Sequence, residues 1–197
     1  MNKLKVNDIM TIGALSALYF ICVGIGTLLG IPFDKSGNMF YAPAFAALLS
    51  GTVYLLMIAK VKKFGAITIL GTIMGIFFFL TGHFFAAVLP AIIFGLIADC
   101  IAFLGKYQSK WINLFSFIVF SFANSGPIIL MWILKDIYIQ SLLDKGKDMS
   151  YVNKVMLDFN LSTISWFIFT VVVGALLGGL FGNSLLKKHF LKSGMIS

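Results

Sequence analysis

Residues 64–98 read FGAITILGTIMGIFFFLTGHFFAAVLPAIIFGLIA, without one charged side chain. A spanning helix needs about 20 mainly apolar residues, and a Lys or Asp at its centre costs roughly 2.5–3.5 kcal/mol on insertion scales. The stretch is too long for one crossing, and Gly82-His83 near its middle marks a turn. It reads as two helices joined by a tight reversal. Outward from it, charge-free blocks run from Ile9 to Phe33, Ser36 to Ala59, Trp111 to Leu134 and Phe159 to Leu186. The expectation is an all-α polytopic membrane protein, a single domain over residues 1–197 with six transmembrane helices at about 8–30, 39–60, 64–82, 85–105, 111–134 and 161–186.

Composition agrees. A hydrophobic content of 60% and a mean hydropathy of +1.01 exclude an ordinary soluble domain and a disordered chain. All fifteen basic residues are Lys and all seven acidic ones Asp. Without Arg there is no rigid guanidinium fork for a carboxylate or phosphate. The net charge of +8 suits nucleic acid in principle, but the Lys are scattered along helix ends, where membrane orientation explains them. Cys22 and Cys100 lie in apolar blocks and read as buried free thiols. The first apolar block is long and has no small-x-small cleavage site, so it reads as a retained helix.

Lys placement predicts direction. With a cytoplasmic N-terminus, Lys3, Lys5, Lys60, Lys62, Lys63, Lys106, Lys110, Lys187, Lys188 and Lys192 are inside, and Lys35, Lys135, Lys145, Lys147 and Lys154 outside. Ten against five favours both termini in the cytoplasm. Pro32 and Pro43 flank the first external loop, and Pro90 and Pro127 are expected as kinks within helices. From Asp136 to Asn160 runs the one long connection, where Val152, Val155, Met156 and Phe159 recur with helical spacing. That segment reads as a helix in the outer interface, or as a lid over an outward pocket.

Glycines recur every four residues at Gly174, Gly178 and Gly182, at Gly71 and Gly75, and at Gly26 and Gly30, as faces where helices pack closely. Gly13 and Ala17 form a further small pair and are the expected partner-docking face. No P-loop, zinc-protease spacing or paired-carboxylate cluster is present, and His83 and His189 belong at opposite helix ends, so no catalytic residue and no enzyme activity is expected. Buried ionisable groups are scarce. Asp99 alone is a midspan candidate, near the inner end of the fourth helix, where it pairs with Lys106 or Lys110 or caps a neighbouring helix.

Six helices, Gly13-x-x-x-Ala17, Thr81-Gly82-His83, Ala98-Asp99 and Gly105-Lys106-Tyr107-Gln108-Ser109-Lys110 together resemble the substrate-binding S component of an energy-coupling factor (ECF) transporter, over nearly the full chain. More specifically the chain is similar to the MptD or Trep_Strep-type group of S components. The resemblance implies a subunit of the bacterial cell membrane that captures a nutrient from outside. It would dock on a transmembrane coupling protein driven by two cytoplasmic ATPases. The family's Ala-x-x-x-Ala docking pair is matched at Ala17, with Gly13 in place of the first Ala. The family pocket faces outward, at the ends of helices four to six, under the loops between helices one and two and between three and four.

Candidate pocket residues under this orientation are Phe40 and Tyr41 with Met39 beside them, His83 and Phe84 in the turn, Asn124 and Trp132 on the fifth helix, and Asn160 and Trp166 with Thr163 on the sixth. Tyr41, Trp132 and Trp166 also read as aromatic-belt residues, Asn124 as a helix-helix contact and His83 as an ordinary loop residue. Some members of the resembled group are linked to haem uptake. That link implies haem or another tetrapyrrole as substrate, with His83 as axial ligand and Lys35 or Tyr41 at the propionates, beside a vitamin-like compound gripped by stacking. A stand-alone secondary carrier and a membrane scaffold are the competing functions.

Overall fold

The computed structural model describes residues 3–34, 36–82 and 85–190, with the side chains of all of these but residues 85, 189 and 190. It is all-helical, with 81% of residues in helix and no strand among the described residues.

Helix α1 (Val6–Gly30) starts where the Lys5 amide donates to Asp8 Oδ2 at 2.7 Å, satisfying an orphan first-turn donor. Asp8 also pairs with Lys63, tying this end of α1 to the turn after α2 (Ala42–Val61). Lys62 and Gly65 reverse the chain with φ of 49° and 99°, and α3 (Ala66–Leu80) begins. A 3-10 turn at Phe85–Ala87 leads into α4 (Val88–Leu104). Then come α5 (Lys110–Ser121), a 3-10 segment at Phe122–Ser125, and α6 (Gly126–Ile133). Two short helices follow, α7 (Lys135–Asp144) and α8 (Met149–Val155), before α9 (Leu161–Leu185).

Among the described residues, four rods are long and apolar enough to cross a bilayer: α1, α2, residues 110–133 and residues 161–188. Helices α3 and α4 are apolar but shorter, at 15 and 17 residues. At 1.5 Å per residue they reach about 22–26 Å, less than the roughly 30 Å of hydrocarbon.

Prolines explain two departures from the expected boundaries. Pro127 was expected as a kink in one helix over 111–134; instead the helix divides into α5 and α6 around the 3-10 segment. Pro127 lacks an N–H, and its ring would clash with the carbonyl four residues back, so the α-helical ladder cannot run through. Pro90 lies in the first turn of α4 rather than in its interior, where a missing donor leaves nothing unpaired. The amphipathic run also ends early: Val152 and Val155 are buried on α8, but Met156 to Phe159 are extended or irregular. There the Leu157 amide leaves the helical pattern to donate to Met131 Sδ at 3.3 Å.

The repeated glycines are packing faces. A Cβ on Gly178 would strike the Ala47 and Leu48 carbonyls of α2, and one on Gly26 would strike Ala46 of the same helix. Gly71 of α3 faces Ala91 and Gly95 of α4 in the same way. The core between them is aromatic: Tyr54 lies 4.9 Å from Phe117 and 5.0 Å from Phe120, with Tyr19 edge-on to Phe120. Its polar groups are paired in sequence. Tyr54 OH meets Ser116 Oγ at 2.7 Å, and Ser116 Oγ donates to the Ala98 carbonyl at 2.6 Å. The thiols are free, as expected, but Cys100 is exposed and Cys22 half-buried, because both lie on helix sides outside the core.

Asp99 caps a neighbouring helix. Fully buried on α4, its Oδ2 accepts from Gly65 N (2.8 Å), Thr68 N (3.0 Å) and Thr68 Oγ1 (2.9 Å) at the start of α3, and its Oδ1 from Tyr107 OH (2.8 Å). With the Asp8–Lys63 pair, these contacts tie together the starts of α1 and α3 and the end of α4 at one basic end. The turn between α1 and α2, the end of α3 and the start of α9 lie at the other.

Candidate functional site

At the end opposite the basic residues, α1, α2, α3 and α6 leave a cavity of about 220 Å³. The loop beside it is held by short polar residues. Ser36 N donates to Asp34 Oδ1 (2.8 Å), Asn38 N to Ser36 Oγ (3.3 Å) and Phe40 N to Asn38 Oδ1 (2.9 Å). Side chains thus substitute for the backbone partners that a loop lacks. The chain then turns into α2 through Met39, whose φ of 59° is uncommon for a residue with a side chain.

Met39 and Thr27 line both this cavity and a second of about 200 Å³ under the same loop, where Asp34 and Gly37 form the wall. The two cavities thus share Met39 and Thr27. The remaining walls of the first are Phe20 and Val23 of α1, Pro43 and Ala46 of α2, Phe77 and Phe78 of α3, and Pro127 and Ile128 of α6, among others.

One polar group stands out in this apolar lining. Asn124 is 7% exposed and sits in the 3-10 segment between α5 and α6. Its Nδ2 donates to the buried Tyr19 OH at 3.0 Å, which orients the amide. Oδ1 has no hydrogen-bond partner among the described residues. A buried acceptor left unpaired is disfavoured by about 1–3 kcal/mol, so a ligand N–H or O–H donor would be received there.

Of the residues expected to form the pocket, Asn124 and the neighbouring Met39 line this cavity. The others go elsewhere. Phe40 is buried in a separate cluster with Ile128, Phe167 and Val171, its ring 5.3 Å from Phe167. Trp132 joins that cluster edge-on to Phe167 at 5.6 Å and lies 6.1 Å from Phe159. Tyr41 takes a hydrogen bond from Trp166 Nε1 at 3.2 Å, while Trp166 stacks on Phe169 at the surface. Asn160 is the cap of α9, its Oδ1 accepting from Thr163 N at 2.8 Å. Apolar contact outcompetes an open pocket for these rings, because facing aromatics bury more area on each other than on a void. His83, Phe84 and Lys35 lie outside the described residues.

The cavity walls missing from the expectation include Phe20, Val23 and Thr27 of α1 and Phe77 of α3. Nothing in their spacing distinguishes them from core positions. Only Thr27, a hydroxyl in an apolar block, gives a signal, and its Oγ1 is spent on the Val23 carbonyl at 2.9 Å.

Gly13 and Ala17 are exposed on α1, and a Cβ on Gly13 would meet nothing within 4 Å. No group of three or more metal-ligating side chains occurs among the described residues.

No curated protein and no solved structure matches the chain. A family model described as "Hypothetical bacterial integral membrane protein (Trep_Strep)" matches residues 6–192. That match spans every helix described above, and the chain belongs to the Trep_Strep family of bacterial integral membrane proteins.

Proposed function

We propose that this protein is the substrate-binding subunit of an ECF-type importer in the cell membrane. It spans the bilayer six times with both termini in the cytoplasm. It captures a small nutrient from outside and passes it on through a membrane coupling protein driven by two ATPases. The observation that carries this reading is the buried Asn124, which lines an apolar cavity at the end away from the basic residues and whose Oδ1 has no hydrogen-bond partner among the described residues. A cavity with one oriented polar group among apolar walls is how a small-molecule site achieves specificity.

The chamber favours a compact, largely apolar ring compound that donates one hydrogen bond. At about 220 Å³ it falls below the roughly 300–1,000 Å³ of drug-sized sites, and a tetrapyrrole is larger still. A vitamin-like compound is therefore the better fit. Haem would require the chamber to open toward the His83 turn. The open Gly13–Ala17 face supports docking, since small side chains let a partner helix approach closely in lipid. Helix α7 and its flanks cover the Phe78 side of the cavity: Leu134 and Tyr138 pack on the cluster of Phe78 and Leu130, and Lys145 Nζ donates to the Gly82 carbonyl.

Mass spectrometry of the small molecules that co-purify with the protein, followed by a binding titration of each, tests the proposal. A ligand whose binding Asn124→Leu weakens supports it. Uptake that continues in cells lacking the ATPases rejects it in favour of a stand-alone carrier. An unchanged Soret band on addition of haemin removes the tetrapyrrole reading.

A further inference from the structure

A further cavity, of about 690 Å³, opens at the basic end between α2, α5 and α9. Lys62, Lys110 and Lys187 line it, and none of its described lining residues is acidic. Two amides line it as well. Asn113 is 8% exposed, and its Nδ2 donates to the Tyr107 carbonyl at 3.1 Å, which fixes the direction of the amide. Its Oδ1 has no partner among the described residues, and neither has the buried Nδ2 of Asn183. Two amides, each with one buried atom lacking a partner among the described residues, thus line one space with three Lys.

The backbone around the cavity is unusual too. Lys62 and Tyr107 both line it, and both hold left-handed conformations with φ of 49° and 59°. Such conformations are disfavoured for residues with side chains and gather at ligand sites. Helix α5 begins at the rim with no side chain capping its first amides, so its positive end adds to the field of the Lys.

We propose that this cavity binds a phosphate group carrying free hydroxyls, as on the headgroup of an anionic glycerophospholipid. The phosphate oxygens accept from the Lys110 and Lys187 ammonium groups and from Asn183 Nδ2. A headgroup hydroxyl donates to Asn113 Oδ1. Exposed apolar side chains at the same end, Leu104 at 78% and Trp111 at 68%, offer a surface for acyl chains. Lys110 Nζ lies 5.4 Å from the Trp111 ring centroid, which holds its charge at this border. Basic pockets between helices suit such headgroups because the attraction acts where water is partly excluded.

Native mass spectrometry of the full chain, with added phosphatidylglycerol, phosphatidic acid or phosphatidylcholine, tests this. One phosphatidylglycerol is expected to stay bound where phosphatidylcholine is lost. Lys110→Gln with Lys187→Gln should lower that retention roughly tenfold or more, and Lys110→Arg with Lys187→Arg should keep it. Asn113→Leu should weaken phosphatidylglycerol but spare phosphatidic acid, which has no headgroup hydroxyl. Competition by inorganic phosphate alone separates the sources: failure to displace the lipid supports a lipid site, and full displacement assigns the cavity to free phosphate. Equal retention of phosphatidylglycerol and phosphatidylcholine overturns the proposal. So does a doubly substituted Gln variant that melts like the wild type and retains the lipid as well.

Discussion

Asp99 shows how one carboxylate is accommodated in a bundle of apolar helices. Four donors from α3 and the loop after α4 surround it, so its charge is stabilised by hydrogen bonds in place of water. Burial and the adjacent carboxylate hold the Tyr107 phenol above its ordinary range, so that hydroxyl remains a donor. Asp99→Ala would leave the α3 amides and the Tyr107 hydroxyl unpaired, at a cost of about 3 kcal/mol. Thermal unfolding in detergent should show a clear drop in midpoint, and an unchanged midpoint would mean water replaces the carboxylate. Asn124 makes the opposite case, being half-satisfied. Asn124→Leu is expected to weaken ligand binding roughly tenfold or more with a smaller effect on the melting temperature. Asn124 was legible in the sequence because an amide in a spanning block needs a partner. Phe20 and Phe77 were not, because a wall residue and a core residue are the same residue type at the same spacing.

At the scale of elements, one residue type behaves in two ways. Gly178 touches the α2 backbone, and Gly13 touches nothing. Gly178→Ala should destabilise the fold by roughly 2 kcal/mol or more, because backbone carbonyls cannot move aside as a side chain can. Gly13→Ala should leave the melting curve unchanged; if it falls as far as Gly178→Ala, the outer face of α1 is internal after all. Both glycines sit in small-xxx-small patterns, and the pattern alone cannot say which side of a helix finds a neighbour. Helix α8 depends on Asp148, whose Oδ1 accepts from Tyr151 N at 2.8 Å and from Ser150 Oγ at 2.9 Å. Those bonds lower its pKa below the usual 3.8. A depressed folded-state pKa means the cap is complete above that value and is lost as pH falls through the lower one. Amide exchange across residues 149–155 should therefore accelerate on strong acidification, and Asp148→Ala should abolish that pH dependence.

For the whole molecule, the two ends differ in chemistry. Lys62, Lys110 and Lys187 crowd one cavity, and Asn124 with aromatic walls defines the other. The proposed orientation places the basic end in the cytoplasm. With Cys22 and Cys100 replaced, a single cysteine at Ser150 should react with an impermeant thiol reagent on intact cells, and one at Lys187 should react only after lysis. The reverse labelling would put the Asn124 cavity inside and sink the import reading. Docking belongs to this scale as well: Ala17→Leu is expected to abolish uptake while ligand binding persists. Loss of binding in that variant would place Ala17 in the fold rather than at a partner.

Charge-free blocks alone determined that this chain is helical and lives in a membrane, because hydrocarbon penalises both unpaired backbone and buried charge wherever they occur along the chain. The same rule located the reversal at Gly82 and the separate end helices. Tertiary packing decided the rest. It broke the 111–134 rod at Pro127, withdrew Phe40 and Trp132 into an aromatic cluster, and left Asn124 beside a cavity with its Oδ1 lacking a partner among the described residues. Periodicity marks which side of a helix is apolar, but in a membrane nearly every side is. Which faces meet, and where they fail to meet, depends on the shapes of side chains distant in sequence.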